Sequence, residues 1–111
     1  MNKKREVAFI NESLKEIFFE LEKGKFKDKQ LFGFINHAID DLKENPLCGI
    51  KISKRLWPID YIKKYKINNL WKYNLPNSWR LIYTIKEDQI TIVSIILEWF
   101  RHKDYERRFK Y

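Results

Sequence analysis

The sequence predicts an α+β domain in which an N-terminal helical hairpin packs on a small antiparallel sheet. Apolar residues recur at helical spacing in two successive segments, and the period changes to two after residue 69. The final apolar segment is hydrophobic on both sides, as expected of an internal strand. With 111 residues, the chain is expected to be a single domain, residues 1–111, in the order β-α-α-β-β-β.

A short strand and a helix are expected to open the chain. Residues 6–10 favour a strand, and residues 12–23 favour a helix that Asn11 or Ser13 would cap. The apolar stripe of this helix consists of Leu14, Ile17, Phe18 and Leu21. Gly24 then ends the pattern.

A second helix follows after a short link. Asp28 is expected to cap it, and it ends at Asn45 because the residue before a proline disfavours helical geometry. Its apolar stripe consists of Leu31, Phe34, Ile35, Ala38, Ile39 and Leu42. The two helices are expected to form an antiparallel hairpin whose stripes face a sheet.

The remaining elements are expected to build that sheet. Residues 47–66 are less regular, although Pro58 suits the first turn of an extra short helix near residues 58–65. Alternating apolar residues predict three strands, separated by turns at residues 76–78 and 86–88; the strands cover residues 70–75, 79–85 and 89–99. The last strand is expected to be central, with the helices on one side.

Composition and charge narrow the class of protein. The 44% hydrophobic content, with 16% aromatic residues, excludes a disordered chain. The 23 Lys and Arg residues exceed the 15 Asp and Glu residues, and a net charge of +8 favours polyanionic partners. The single cysteine, Cys48, rules out an intramolecular disulfide and favours the cytoplasm. The basic start is followed by no long apolar segment, so neither a signal peptide nor a membrane partner is expected.

Arg80 is the first candidate site residue. Alternation places Arg80, Ile82 and Thr84 on one face of their strand. An arginine within an apolar strand is costly to desolvate, so it is expected to have a partner. Two kinds of partner are open: a carboxylate of Glu98 or Asp104, or the phosphate of a bound nucleic acid.

Further candidates lie on the neighbouring elements. His102 suits general acid–base chemistry, although an exposed histidine after a strand is the plainer interpretation. Tyr105 suits either packing or proton transfer. Lys72 gains a role only if its strand pairs with that of Arg80.

Other cations are expected to contact an RNA backbone; they are Arg101, Lys103, Arg107, Arg108, Lys51 and Lys54. Runs of charge are more often a solvated face, and Arg107 and Arg108 equally fit a terminal helical turn. The sequence shows no carboxylate cluster for magnesium, no phosphate-binding glycine loop and no zinc-finger pattern. Neither a metal nor a cofactor is therefore expected.

These residue types match what RNA cleavage without a metal requires. A ribose 2′-OH attacks the adjacent phosphate when one group removes its proton and another protonates the leaving 5′ oxygen. Arginine and lysine stabilise the negative charge that develops on the phosphate. The sequence therefore favours a protein that cuts or grips RNA.

The C-terminal part of the chain resembles the RelE/ParE superfamily of toxins from toxin–antitoxin systems. The resemblance is carried by Trp-Arg-Leu-Ile-Tyr at residues 79–83, the long apolar strand after it, and the ending from His102 through Tyr105 to Phe109. The helical hairpin and the antiparallel meander also fit. The specific matches lie within residues 71–109.

The resemblance implies a ribosome-dependent endoribonuclease that cleaves mRNA and is neutralised by a cognate antitoxin. Arg80 takes the place of a strand arginine at the scissile phosphate, and Lys72 that of a lysine on the preceding strand. His102 and Tyr105 match C-terminal residues that act at the cleaved bond. Lys72, His102 and Tyr105 remain alternatives for the general base.

Two other functions are also compatible with the sequence. The ParE branch shares the fold, lacks ribonuclease activity and acts on DNA gyrase. A basic nucleic-acid-binding module without catalysis would have the same charge. Residues 47–66 look longer than the usual link in the family, which leaves their role undefined.

Overall fold

The computed structural model describes residues 3–109 and confirms the α+β class. Its helices are α1 (Glu12–Leu21), α2 (Phe26–Glu44), α3 (Ile59–Tyr65) and α4 (His102–Arg108). Its strands are β1 (Lys4–Phe9), β2 (Ile50–Lys51), β3 (Trp71–Leu75), β4 (Trp79–Glu87) and β5 (Thr91–Arg101). Residues 1 and 2, part of the basic start, lie outside the described residues. Between residues 3 and 109, no helix has the length and apolar character needed to cross a bilayer.

One sheet in the order β1-β5-β4-β3-β2 organises the molecule. β3, β4 and β5 form the expected antiparallel meander, and β2 pairs antiparallel with β3. β1 pairs with β5 in parallel, so the sheet is mixed rather than antiparallel throughout. A parallel pair needs a long crossover, and α1 and α2 lie within it. β5 has neighbours on both sides, as its apolar faces predict, and β4 is the middle strand.

α1 and α2 cover the first face of the sheet. Their rings meet where Phe18 stacks on Phe32, with centroids 4.6 Å apart. Apart from Ile17, which is 53% exposed, the predicted stripe residues join the strands in one core. Its buried members are Phe18, Leu31, Ile35, Ala38, Leu42, Leu75, Leu81, Tyr83 and Ile96. Fully burying a large apolar side chain stabilises a fold by about 1.5–3 kcal/mol, so the helix stripes largely determine how this layer packs.

The helix starts show which polar residues act as caps. The Asn11 side chain accepts a hydrogen bond from the Leu14 N–H at 2.8 Å. Of the two predicted caps of α1, Asn11 is therefore the N-cap. α2 begins at Phe26, so Asp28 lies in its first turn and is not the N-cap. The Asp28 carboxylate instead accepts from the Lys25 N–H at 3.2 Å. A carboxylate in the first turn accepts hydrogen bonds from the same unpaired N–H groups as an N-cap and interacts favourably with the helix dipole. For this reason the sequence alone does not distinguish Asp28 from an N-cap.

The second face of the sheet is the side that carries Arg80, Ile82 and Thr84. α3 and α4 cover it, together with Trp57. Its core consists of Ile52, Trp57, Tyr61, Ile67, Leu70, Ile82, Leu97, Tyr105 and Phe109. The extra helix after Pro58 is confirmed as α3, whereas β2 and α4 are elements that the predicted order lacks.

A bulge in β5 changes which residues face this second core. Ile82 of β4 lies opposite Glu98, whereas Tyr83 lies opposite Ile96, so Leu97 is the extra residue. A bulge shifts the alternation by one position. As a result, Leu97 packs in the second core and the neighbouring Glu98 contacts groups on the same side.

The two turns of the meander behave differently. The turn at residues 76–78 is confirmed, and Asn77 and Ser78 adopt the left-handed region with φ of 59° and 63°. β4 continues through Glu87, beyond its predicted end, and the chain reverses after it. There the Asp88 side chain accepts hydrogen bonds of 2.8 Å from the N–H groups of Ile90 and Thr91.

Candidate active site

Arg80 lies near the start of β4, on the second face. Its backbone is opposite Asn74 of β3 and Phe100 of β5. Its Nη1 donates a hydrogen bond to the Trp79 carbonyl oxygen at 3.0 Å, and its Nε is buried with no hydrogen-bond partner among residues 3–109. A guanidinium carries five N–H donors, so most of the donors of Arg80 remain for a ligand.

Neither carboxylate that the sequence offers to Arg80 pairs with it. Glu98 lies 3.3 Å from the Nε of Arg108, and Asp104 lies 3.1 Å from Arg107. Within the part of the chain that the structure describes, Arg80 has no ion pair. Of the two kinds of partner left open by the sequence, the internal salt bridge is therefore not formed.

His102 begins α4 and stands diagonally across from Arg80. Its N–H donates to the Ser78 carbonyl oxygen at 2.7 Å, which extends the β4–β5 ladder beyond the pair of Trp79 and Arg101. Diagonal neighbours on one face of an antiparallel pair lie about 7–8 Å apart. The side chains of Arg80 and His102 consequently share one end of the second face.

The imidazole of His102 is held on two sides. Its Nε2 lies 3.0 Å from a carboxylate oxygen of Glu106, four residues along α4. Its ring stacks on that of Tyr105 with centroids 6.1 Å apart. Its Nδ1 is buried with no hydrogen-bond partner in the described chain. Because Nδ1 is buried, any proton exchange with a substrate has to pass through Nε2, the nitrogen that Glu106 contacts.

Lys72 of β3 reaches the same region. Its ammonium nitrogen lies 4.7 Å from the centroid of the Tyr105 ring, and its backbone is opposite Ile82. Lys72 and His102 therefore contact one aromatic ring from two different elements. The structure brings Lys72, His102 and Tyr105 into contact on the second face, and the strand register places Arg80 near them.

Tyr105 itself does not reach the surface. Its exposed fraction is 0%, and its ring stacks on Phe109 with centroids 4.5 Å apart. A substrate bound outside the second core cannot contact this ring. The expectation that Tyr105 acts at the cleaved bond is therefore corrected: the structure gives it a packing role beneath Lys72 and His102.

The cations that follow β5 do not form one patch. The Arg101 guanidinium lies 4.9 Å over the ring of Trp79, which packs on the first face, opposite Arg80. Arg107 pairs with Asp104, as described above, and is exposed. Lys103 is also exposed. The predicted RNA contacts of Arg101 and Arg80 thus belong to opposite faces.

Arg108 is committed to contacts within the protein. Its guanidinium donates to both carboxylate oxygens of Asp60, at 3.2 and 2.9 Å, and to Glu98. It also lies 5.0 Å over the ring of Tyr61, whose hydroxyl donates to Glu98. This network joins α3, β5 and α4. The predicted RNA-binding role of Arg108 is corrected accordingly, because its charge is balanced by Asp60 and Glu98 and three of its five N–H donors are engaged.

The network shifts the pKa of its members in directions that fit these contacts. The hydrogen bond from Arg108 is the main cause that lowers the pKa of Asp60. Burial, and then the Glu98 carboxylate, raise the pKa of Tyr61. The hydrogen bond to Asp60 raises the pKa of Arg108. All three groups therefore keep their usual charge state at neutral pH.

Glu106 is the site residue that sequence reasoning missed. Its signal is the spacing of four residues from His102, which places both side chains on one side of a helix. That signal becomes readable only if residues 102–108 are recognised as helical. Lys51 on β2 lies opposite Trp71, one position from Lys72, and Lys54 follows in a 3₁₀ turn; both lysines are exposed.

Comparisons with protein-family models, with curated proteins and with solved structures find no match for this chain. The resemblance to the RelE/ParE superfamily therefore depends on the quoted residues. Residues 3–109 contain no group of three or more His, Cys, Asp and Glu side chains arranged to hold a metal ion.

Proposed function

We propose that this chain is a RelE-like toxin of the cytoplasm: a ribosome-dependent endoribonuclease that cleaves mRNA without a metal or other cofactor. One observation carries the proposal. Arg80 is half-buried on the second face and pairs with neither Glu98 nor Asp104, and the half-buried His102 follows the strand position diagonal to it in the register. An arginine held on a strand without a carboxylate partner leaves its positive charge for an external anion. A bound phosphodiester supplies acceptors for the Arg80 donors.

The chemistry assigns a role to each residue. Arg80 binds the scissile phosphate and stabilises the charge that develops as the 2′-OH attacks phosphorus. His102, oriented by Glu106, transfers a proton at the reacting oxygens. Lys72 adds positive charge from β3. Attack forms the 2′–phosphorus bond and breaks the bond to the 5′ oxygen, which leaves a 2′,3′-cyclic phosphate and a protonated 5′-hydroxyl.

The fold supports the same proposal. A helical pair followed by an antiparallel meander is the arrangement that the family resemblance implies, and the chain has both. The partners proposed on this basis are the ribosome with its mRNA and a cognate antitoxin. The antitoxin would neutralise the toxin by covering the basic site.

Primer extension on mRNA in a translation extract tests the activity. We expect cuts with the wild-type protein, in the presence of chelator, and their loss by 10²–10⁴-fold or so in His102→Ala, as is typical when a general acid or base is removed. Arg80→Ala should show a comparable loss. Lys29→Ala is the matched control, since Lys29 is exposed on α2, away from the second face. Intact mRNA with the wild-type protein would refute the nuclease.

A second function is favoured by one specific observation. α3 and α4 cover much of the second face, and Tyr105 is buried there, which leaves fewer chemical groups exposed than the nuclease assignment assumes. A ParE-like inhibitor of DNA gyrase needs a surface and no catalytic residues. Under this alternative, the protein reduces supercoiling by gyrase and leaves mRNA intact. A basic nucleic-acid-binding module would respond in neither assay.

A further inference from the structure

Most of the net positive charge of the chain lies in one short segment. Residues 51–66 contain six cations against one carboxylate, so they hold +5 of the net charge of +8. The six cations are Lys51, Lys54, Arg55, Lys63, Lys64 and Lys66, and all are exposed. The one carboxylate, Asp60, is already neutralised by Arg108. The segment therefore presents unbalanced positive charge to the solvent.

Part of this charge lines two neighbouring pockets. Lys51 and Lys54 line a pocket of about 430 Å³, together with Asn68. Lys66 and Lys86 line a second pocket of about 410 Å³, which Asn68 also borders. Because Asn68 lines both, the two pockets are neighbours on the surface. We call the pair of pockets the lysine groove.

The polar groups of the lysine groove suit an anion. None of its four lysines has an ion pair in the part of the chain that the structure describes. The side-chain oxygen of Asn68 accepts from Asn69 at 2.8 Å, and the Asn68 NH₂ group donates to no residue in the range 3–109. The groove also holds Glu87, but Lys3 neutralises this carboxylate at 2.8 Å.

From these observations we infer that the lysine groove is a second nucleic-acid site, which binds the phosphodiester backbone of RNA. Lysine ammonium groups act as point charges toward phosphate, and a side-chain amide donates to phosphate oxygens. An acidic protein partner fits less well, because protein interfaces require a substantial exposed apolar share, whereas Ile52 and Trp57, the apolar residues of the first pocket, are themselves buried.

The groove extends away from Arg80, beginning beside Lys72. Lys51 lies opposite Trp71, next to Lys72 in the register. By contrast, Lys86 lies six residues from Arg80 on β4, which corresponds to about 20 Å at 3.3 Å per residue. An RNA strand that passes through both sites would be held at two points. Backbone binding at the groove is independent of sequence, because phosphates carry no base information. Binding at the groove requires no cleavage. RNA binding at the groove and mRNA cleavage at the candidate active site can therefore each be absent while the other is present.

The test measures binding of a labelled 2′-O-methyl RNA oligonucleotide, which cannot undergo attack by a 2′-OH. Fluorescence anisotropy between 50 and 200 mM salt gives the slope of log affinity against log salt. Lys66→Ala/Lys86→Ala is expected to flatten this slope by about 1.4, because each phosphate contact on a single strand contributes about 0.7. Lys51→Ala/Lys54→Ala should flatten it by a similar amount.

The matched control is Lys15→Ala/Lys29→Ala, which removes two exposed lysines from α1 and α2. We expect its slope to equal that of the wild-type protein. An equal change in the control and groove variants would overturn the inference, since binding would then follow net charge alone. The inference would also be overturned if polyglutamate displaced the RNA when both polymers are present at the same concentration of negative charges. Melting temperatures confirm that each variant is folded.

Discussion

Tyr105 has two possible roles in the sequence, packing and proton transfer, and its surroundings favour the first. The ring stacks on Phe109, supports the imidazole of His102 and faces the ammonium group of Lys72. A ring in this position fixes the two polar groups that border it. Its contribution to function therefore passes through their orientation.

Substitutions of Tyr105 separate packing from chemistry. Tyr105→Phe keeps the ring stack, so we expect it to lower the free energy of unfolding by about 1 kcal/mol, as for a lost hydroxyl contact. Tyr105→Ala should lower it by about 3–5 kcal/mol, as for other buried rings. Chemical denaturation measures both values. Loss of mRNA cleavage in a stably folded Tyr105→Phe protein would show that the phenol takes part in the reaction.

For single residues, the sequence predicts some contacts and misses others, and each outcome has a physical reason. Alternation correctly places Arg80 and Ile82 on one face, because a strand has a fixed period of two. The alternation does not reveal the bulge at Leu97, which places Glu98 on the second face, where it pairs with Arg108 rather than Arg80. The ion pair that Glu98 forms therefore depends on one extra residue, and the local sequence pattern does not indicate that residue.

Among the elements, α3 and α4 depend on one another. α3 is a seven-residue helix after Pro58, and α4 is equally short. Isolated helices of this length are not stable in water. The bidentate contact of Arg108 with Asp60 joins the two helices, and both pack on the second core. Each helix therefore persists because the other, together with the sheet, holds it.

The contact between Asp60 and Arg108 predicts a pH dependence of stability. The folded state lowers the pKa of Asp60, so its contribution is present above the unfolded pKa of about 3.9 and is lost as pH falls through the folded value. Arg108→Ala should lower the free energy of unfolding by about 1 kcal/mol at neutral pH, since the pair is partly exposed. The difference from wild type should shrink below pH 4.

Denaturant titrations at pH 7, 4 and 3 measure this difference. Arg107→Ala is the control, because its contact with Asp104 is exposed and joins residues of one helix. It should change stability little at any of these pH values. A deficit in Arg108→Ala that stays constant from pH 7 to pH 3 would contradict the assigned role of Asp60.

Element prediction from this sequence succeeds where a pattern is long. The stripe of α2 and the apolar faces of β5 are long enough to define their elements. β2 has two residues, and α4 shows only Tyr105 and Phe109 as an apolar pair. Both short elements form through contacts with distant residues, so local periodicity cannot indicate them. The parallel pairing of β1 with β5 likewise joins segments at opposite ends of the chain, so local periodicity cannot indicate it.

The whole molecule consists of a sheet with a core on each side. Ile35 belongs to the first core and Ile67 to the second, and the sheet separates them. Neither core contains the other's buried side chains. The two sides therefore stabilise the sheet independently, although the strands they share should unfold together.

Paired substitutions test this arrangement. Ile35→Val and Ile67→Val should each lower the free energy of unfolding by about 0.5–1.5 kcal/mol, as for other buried isoleucines. The double variant should show the sum within about 0.5 kcal/mol, because distant sites are additive. Thermal and chemical melts should remain single transitions. Two separate transitions, or a clear departure from the sum, would contradict a shared sheet with independent cores.

The outer strands of the sheet also affect how copies of this protein behave at high concentration. β2 offers only two residues to a neighbour and carries Lys51, and β1 carries Lys4 and Arg5. Short, cationic border strands discourage another chain from adding to the sheet, since such additions lead to fibres and aggregates. A protein so rich in apolar strands is in this way protected against polymerising with itself.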